Sequence, residues 1–179
     1  MQQTKWFNRT FDFSSAQNIF PSIIERLAGT PARLEEKFLY IPNHITTIRV
    51  NNAWSIKENV GHLTDLESLW QGRLEDILHG KNELRPTDLQ NRRTTEANHN
   101  SVQTETLLKA FREIRKTTIE MLQSLHEEQI FLSALHPRLK TPMRTMDLFL
   151  FVAEHDDHHL ARITELAEQL GSSSQFPMK

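Results

Sequence analysis

Phe151-Val152-Ala153-Glu154-His155-Asp156-Asp157-His158-His159-Leu160-Ala161-Arg162-Ile163 is the stretch on which the reading of this 179-residue chain turns. It lies in an apolar run from Met146 to Leu170. There Leu148, Val152, Ile163, Leu166 and Leu170 recur at three- and four-residue steps, the spacing of one buried helical stripe. At about 100° per residue, His155 and His159 fall inside that stripe, one turn apart and pointing the same way. Packing alone would place Leu or Val at such positions. Two polar rings in a core are costly unless satisfied, and the simplest partner is a metal ion bound by both imidazoles from one helix face. A solvated or hydrogen-bonded pair is the plainer alternative. His158 lies about 100° from the centre of the stripe, at its polar margin beside Glu154, and reads as flanking.

A second amphipathic segment carries a third candidate. Ser55-Ile56-Lys57-Glu58 has the form of a capping box, preceded by Trp54 where a hydrophobic staple would begin. The helix it opens runs to about Leu78 and closes at Gly80, with Leu63, Leu66, Leu69, Trp70, Leu74 and Ile77 on its inner arc. His62 lies at the edge of that arc. A lone His there is more often a hydrogen-bonded core residue than a ligand. One His from one helix beside a His-x-x-x-His pair from another is, however, a sensible metal site for a helical bundle. Three neutral imidazoles leave further positions open, the ligand count of a catalytic rather than a closed structural site. Zn²⁺, Ni²⁺, Fe²⁺ and Mn²⁺ all suit such donors.

The remaining segments read as further helices and connections. Trp6, Phe7, Phe11 and Phe13 make residues 1–15 an aromatic arm that packs against the outside of a core, with a substrate-facing role the lesser reading. Ala16 to Leu27 keeps helical spacing, with Pro21 in the first turn or bending it. Gly29 reads as a stop, and Thr30-Pro31 as the cap and first position of a new helix ending before Pro42. Residues 43–53 read as a connection. Residues 81–101 form a long polar one, with room for a helical turn, that could carry the chain across the bundle so that the flanking helices run parallel. Leu107, Leu108, Phe111, Ile114, Met121, Leu122 and Leu125 mark another amphipathic helix. Residues 126–144 are a second connection, and Thr141 or Thr145 caps the His-bearing helix. Residues 171–179 form a Gly/Ser tail expected to be flexible. Of the other histidines, all in loops or at helix ends, His99 is the one to keep, because of the long loop that holds it. Asp65, Glu58 and Glu154 lie near the ligands in sequence. Such carboxylates more often orient a ligand His than act as a base.

Composition limits function further. With 37% hydrophobic and 25% charged residues, the chain suits one soluble globular domain over 1–179. A formal net charge of −2 and the lack of a long basic block suggest no nucleic-acid partner. No apolar segment reaches the roughly 20 residues of a membrane span, and the first residues lack a signal-peptide core, so a cytoplasmic location is the default. There is no cysteine, so a thiol used in catalysis would come from outside. No G-x-S-x-G, P-loop or G-x-G-x-x-G occurs, and only five glycines are present.

The chain resembles the DinB/YfiT-like family of metalloenzymes. Trp54-Ser55-x-x-Glu58-Asn59-Val60-Gly61-His62-Leu63 looks like that family's helix bearing the first metal His, and Phe151 to Ile163 like its His-x-x-x-His helix. Weaker similarities are Trp6-Phe7-x-Arg9-x-Phe11-x-Phe13, Arg26-Leu27-x-Gly29-Thr30-Pro31-Ala32-Arg33-Leu34 and Asn91-Arg92-Arg93. The resemblance implies an all-α four-helix bundle with a divalent transition metal on His62, His155 and His159, and frequent homodimers. It further implies a small-molecule substrate, with metal-dependent transferase or isomerase chemistry that uses a low-molecular-weight thiol. The other readings are a metal-dependent hydrolase, and a non-catalytic protein in which the metal ties helices together. A bundle of this size should not need a metal to fold.

Overall fold

A computed structural model describes residues 3–173. The arm residues Met1 and Gln2, and residues 174–179 of the tail, lie outside it. Four long helices dominate: α1 (Phe20–Tyr40), α2 (Ile56–Leu78), α4 (Thr104–Gln123) and α6 (Thr145–Ser173). Two short helices, α3 (Arg92–Glu96) and α5 (Glu127–Phe131), and a hairpin of β1 (Ser133–Leu135) and β2 (Pro142–Arg144) occupy the connections. The architecture is the all-α four-helix bundle implied by the resemblance. Among the described residues, no helix is long and apolar enough to cross a membrane.

Side-chain bonds fix the helix directions. Lys57 reaches the Val102 carbonyl, Glu67 pairs with Arg115 and Gln71 bonds Thr118, so α2 and α4 run parallel. Arg26 pairs with Glu154, Thr30 bonds Asp156 and Lys37 bonds Thr164, so α1 and α6 also run parallel. Residue numbers run in opposite senses for Asn59–His159 and Trp70–Phe151 between α2 and α6, and for Leu27–Arg115 and Glu35–Arg112 between α1 and α4. Those pairs are antiparallel. The long connection after α2 does carry the chain back, so that α4 starts beside the start of α2.

The core is divided in two. One half gathers Leu27, Trp70, Leu74, Leu122, Phe149 and Val152, and the other Leu34, Val60, Leu63, Phe111, Leu160 and Ile163. Burying each such side chain contributes roughly 1.5–3 kcal/mol. Between the halves lies a polar layer of Thr30, Glu67, Arg115, Thr118 and Asp156, one or two residues from each long helix, all 1% exposed or less.

Local signals explain both ends of α2 and the start of α6. The Ser55 hydroxyl accepts from the Glu58 N–H at 3.2 Å while the Glu58 carboxylate accepts from the Ser55 N–H at 2.9 Å, the reciprocal capping box expected from the sequence. Gly80, at φ 67°, ends α2 in the left-handed region a glycine adopts without strain. α6 is capped otherwise than expected. The Asp147 carboxylate accepts the Arg144 N–H at 3.0 Å, and Thr145 instead donates to the Gln129 carbonyl at 2.8 Å.

Three expectations are corrected. The first helix starts at Phe20 rather than Ala16, with Pro21 in its first turn, and continues through Gly29, Thr30 and Pro31 without a break. Pro31 removes the N–H that would bond the Leu27 carbonyl. Arg115 supplies a donor there at 3.5 Å, so the helix loses its proline bond without leaving a buried carbonyl bare. The second connection is no plain loop, since it folds into α5 and the hairpin, with Ala134 opposite Met143. Gly171 to Ser173 are not tail, because α6 extends through them.

Candidate metal centre

The α2 and α6 faces that meet bring His62, His155 and His159 together. One nitrogen from each ring lies within 4.8 Å of the other two, and all three residues are buried. Ring centroids are 5.2 Å apart for His62 and His155, 4.9 Å for His62 and His159, and 4.5 Å for His155 and His159. These are the three positions that the spacing and the resemblance single out.

Hydrogen bonds assign the tautomers of two rings. Thr94 Oγ1 donates its one proton to Asp65 at 2.8 Å, so at 3.0 Å from His62 Nδ1 it can only accept. His62 therefore carries its proton on Nδ1, and its Nε2 lone pair is free. Asp65 also receives His99 Nε2 at 2.9 Å. The Asn59 amide nitrogen donates to the carbonyls of Trp54 and Ser55, so its oxygen accepts from His159 Nδ1 at 2.8 Å. His159 Nε2 is then also a free lone pair. It faces His155 Nε2 at 3.2 Å. In the metal-free protein a proton on His155 Nε2 bridges the two rings, and a cation can replace it by the ring's change of tautomer.

The donor set fits a divalent transition metal. With metal–nitrogen bonds of about 2.0–2.1 Å, the nitrogens of a tetrahedral site stand about 3.4 Å apart, close to the His155–His159 separation. Burial holds the rings neutral: it pushes His62 down to about 4 and takes His155 and His159 well below the ordinary imidazole range. Neutral imidazole is the ligating form.

The carboxylates named from the sequence are all occupied. Asp65 orients His62 through Thr94, Glu58 pairs with Arg49 and closes the α2 cap, and Glu154 pairs with Arg26. Asp156, next to His155, is held by Arg115 and Thr30. His99, retained for its loop, lies buried behind the site rather than in it. Gly61 makes that possible, because a Cβ there would overlap the His99 ring. Thr94 and Asn59 carried no sequence signal of their role, since each acts through a contact made only in three dimensions.

The triad sits in the wall of a cavity of about 800 Å³, within the range of small-molecule sites. Trp54 lies over His62 at 4.5 Å, Trp6 meets His155 at 5.0 Å and Trp70 meets it at 5.9 Å. The aromatic arm thus does two things. Trp6 packs on Phe11 and Phe151 as expected of an outer arm, and Trp6 and Phe7 also line the cavity, the role given less weight from sequence. His158 flanks the triad, with its ring 5.4 Å from that of His159 and its Nδ1 buried and unbonded among the described residues. His44, His79 and His126 stand apart from the cavity, whereas His136 joins its wall.

The family model that matches this sequence, over residues 22–163, is that of the DinB superfamily. No curated protein matches it. Among solved structures, the fold is similar to that of YfiT from Bacillus subtilis, described as a probable metal-dependent hydrolase with an unusual four-helix bundle topology. The identity is 22%, the TM-score 0.77, and the match covers 91% of this chain and 94% of that one. It is also similar to an uncharacterised protein of Clostridium difficile 630 (13% identity, TM-score 0.65, 88% and 98% covered). A third likeness is to the colibactin self-resistance protein ClbS, solved with a double-stranded DNA (12% identity, TM-score 0.65, 86% and 98% covered). At these identities the likenesses concern the fold.

Proposed function

The chain belongs to the DinB superfamily, and from that premise we propose that it is a metal-dependent enzyme whose His62, His155 and His159 hold one divalent transition metal for reaction of a small organic substrate. The observation that carries this reading is the convergence of three neutral, buried imidazoles in the wall of one cavity. Two of them have their second nitrogen fixed by Thr94 and Asn59.

A divalent metal held there would act as a Lewis acid, lowering the pKa of a coordinated thiol or water. The residues of this chain do the rest. Asn59 and the Thr94–Asp65–His99 chain hold the imidazoles in register and raise their basicity. Trp6, Trp54 and Trp70 supply apolar walls that exclude water and carry the organic part of the substrate.

Between the two nucleophiles, an external thiol is the one we favour. The carboxylates closest to the triad in sequence are engaged by arginines or hydrogen bonds, and His158 is held down to about 4, which makes it a poor proton acceptor. A metal on the triad would lower the pKa of a bound thiol far enough for its proton to pass to bulk solvent, with no protein base required. The second reading is hydrolysis, for which His158 Nδ1, buried and without a partner among the described residues, is the acceptor on offer.

Elemental analysis of untagged protein should find about one transition metal per chain, lost in a His155→Ala/His159→Ala variant, and should tell Zn, Ni, Fe and Mn apart. The loaded protein should then consume a low-molecular-weight thiol in the presence of an alkylating electrophile, and chelation should abolish the reaction. Ester cleavage without thiol consumption would select the hydrolase reading. Absence of metal after reconstitution would sink both.

A further inference from the structure

Three buried side-chain nitrogens have no hydrogen-bond partner among the described residues: Arg73 Nη2, His155 Nδ1 and His158 Nδ1. All three residues wall the same cavity. His155 belongs to the metal triad and His158 flanks it, whereas Arg73 has no part in the metal reading. Arg73 is 1% exposed and stands about three turns beyond His62 on α2. Its guanidinium lies 5.5 Å from the ring of Trp70, the ring that meets His155 edge-on.

The guanidinium is poorly satisfied. Nε donates to the Arg85 carbonyl at 3.1 Å. Nη1 lies 3.2 Å from His136 Nε2, which at first sight is an acceptor. It is not. His136 Nδ1 accepts from the N–H groups of Arg138 at 3.2 Å and Leu139 at 3.1 Å, so the neutral ring keeps its proton on Nε2. Burial, with Arg73 and Arg138 nearby, pushes His136 down to about 4, so the neutral ring is the one present near pH 7. Arg73 Nη1, Arg73 Nη2 and His136 Nε2 are thus donors facing no acceptor among the described residues. Arg138 adds a second cation to the same wall. Its guanidinium lies 5.2 Å from the Phe7 ring and forms no ion pair among the described residues.

Nearby carboxylates are taken. Asp76 accepts from the Arg85 backbone and side chain and pairs with Lys81. Asp88, on the cavity wall, accepts the N–H groups of Gln90 and Arg92. Buried donors left bare are costly, and guanidinium groups bind planar or tetrahedral oxyanions with paired, charge-assisted bonds.

We propose that Arg73, Arg138 and His136 form an oxyanion subsite in the metal-bearing cavity, so that the substrate or a co-substrate carries a carboxylate or phosphate away from its reacting atom. The assignment of the reacting end rests on the metal-dependent reading, whereas the subsite itself does not.

Inorganic phosphate and succinate are titrated into the full chain at constant ionic strength, with chloride as reference and a chelator present so that no oxyanion binds through a metal. Tryptophan fluorescence and melting temperature report binding, since Trp6, Trp54 and Trp70 all line the cavity. At least one probe should bind saturably, and Arg138→Gln, at a half-exposed position, should weaken it by about tenfold or more. Arg73→Met should do the same if it folds. The tighter probe tells carboxylate from phosphate. No saturable response to either probe, or equal affinity in wild type and Arg138→Gln, overturns the subsite. Metal content is read separately: metal loading without oxyanion binding refutes this subsite alone, and oxyanion binding without metal loading refutes the proposed function alone.

Discussion

At the scale of single residues, the site is defined by protonation. Folding favours neutral His62 and His136, because burial takes each from the ordinary 6.5 to about 4. The unfolded chain binds a proton at these positions near pH 6.5 and the folded chain refuses it until about pH 4. Their contribution to stability is therefore fully present above pH 6.5 and is lost as pH falls from there through 4. Metal binding follows the same sign. Protons compete weakly for the His62 lone pair above about pH 4, so metal affinity should stay level from pH 7 down to about 5.5 and fall only below that. At pH 7, calorimetric titration in two buffers of different ionisation enthalpy should show little proton release on metal binding. An affinity that already falls near pH 6.5 would mean that the imidazoles are solvated. The pairing of His155 and His159 was legible from a four-residue step on one stripe. His62 was legible only jointly with them. Thr94 and Asn59 were not, because neither a threonine in a polar loop nor an asparagine in a capping turn announces a bond across tens of residues.

At the scale of elements, periodicity and caps carried most of the information. The Ser55–Glu58 box and Gly80 bound α2 as local chemistry predicts. Where the reading failed, a distant partner had intervened. Gly29 and Pro31 are locally a stop and a start, and α1 nevertheless runs through them, with Arg115, 88 residues away, meeting the Leu27 carbonyl that Pro31 leaves without its helical donor. The hairpin of β1 and β2 has strands of three residues each, too short for an alternating pattern to show. Gly61 shows the same dependence and gives a test. In a helix interior, alanine is favoured over glycine by about 1 kcal/mol. Here the added Cβ would overlap the His99 ring, which is tied to Asp65 behind His62. Gly61→Ala should thus lower the melting temperature despite its better helix propensity. It should weaken metal affinity as well, by about 10–100-fold, the usual effect of disturbing groups behind a ligand. A raised melting temperature with metal affinity unchanged would show that His99 is not what demands glycine here.

At the scale of the whole molecule, the bundle is cut by one buried polar layer, and Arg115 is its centre. The guanidinium meets Leu27 on α1, Glu67 on α2 and Asp156 on α6 from its own place on α4, so it touches all four long helices. Thr118 donates to Glu67 Oε2, the oxygen that Arg115 leaves over, and Thr30 adds a second bond to Asp156 Oδ2. The two carboxylates hold Arg115 above its ordinary range, while burial raises Glu67. Arg115→Met would leave two carboxylates without their cation, and should cost about 3–5 kcal/mol in urea unfolding at pH 7. Replacing Glu67 and Asp156 by leucine in the same chain should recover most of that loss, since an apolar layer of similar volume packs as well as a buried ion pair. Stability and function should then separate. Asp156 adjoins His155, and its bonds to Thr30 and Arg115 fix how α6 is turned against α1 and α4. The triple variant should be stable yet bind metal more weakly than wild type, as elemental analysis after dialysis at limiting metal would show. Full metal affinity in a stable triple variant would mean that apolar packing alone sets the register of α6, and that the polar layer contributes nothing to the position of His155.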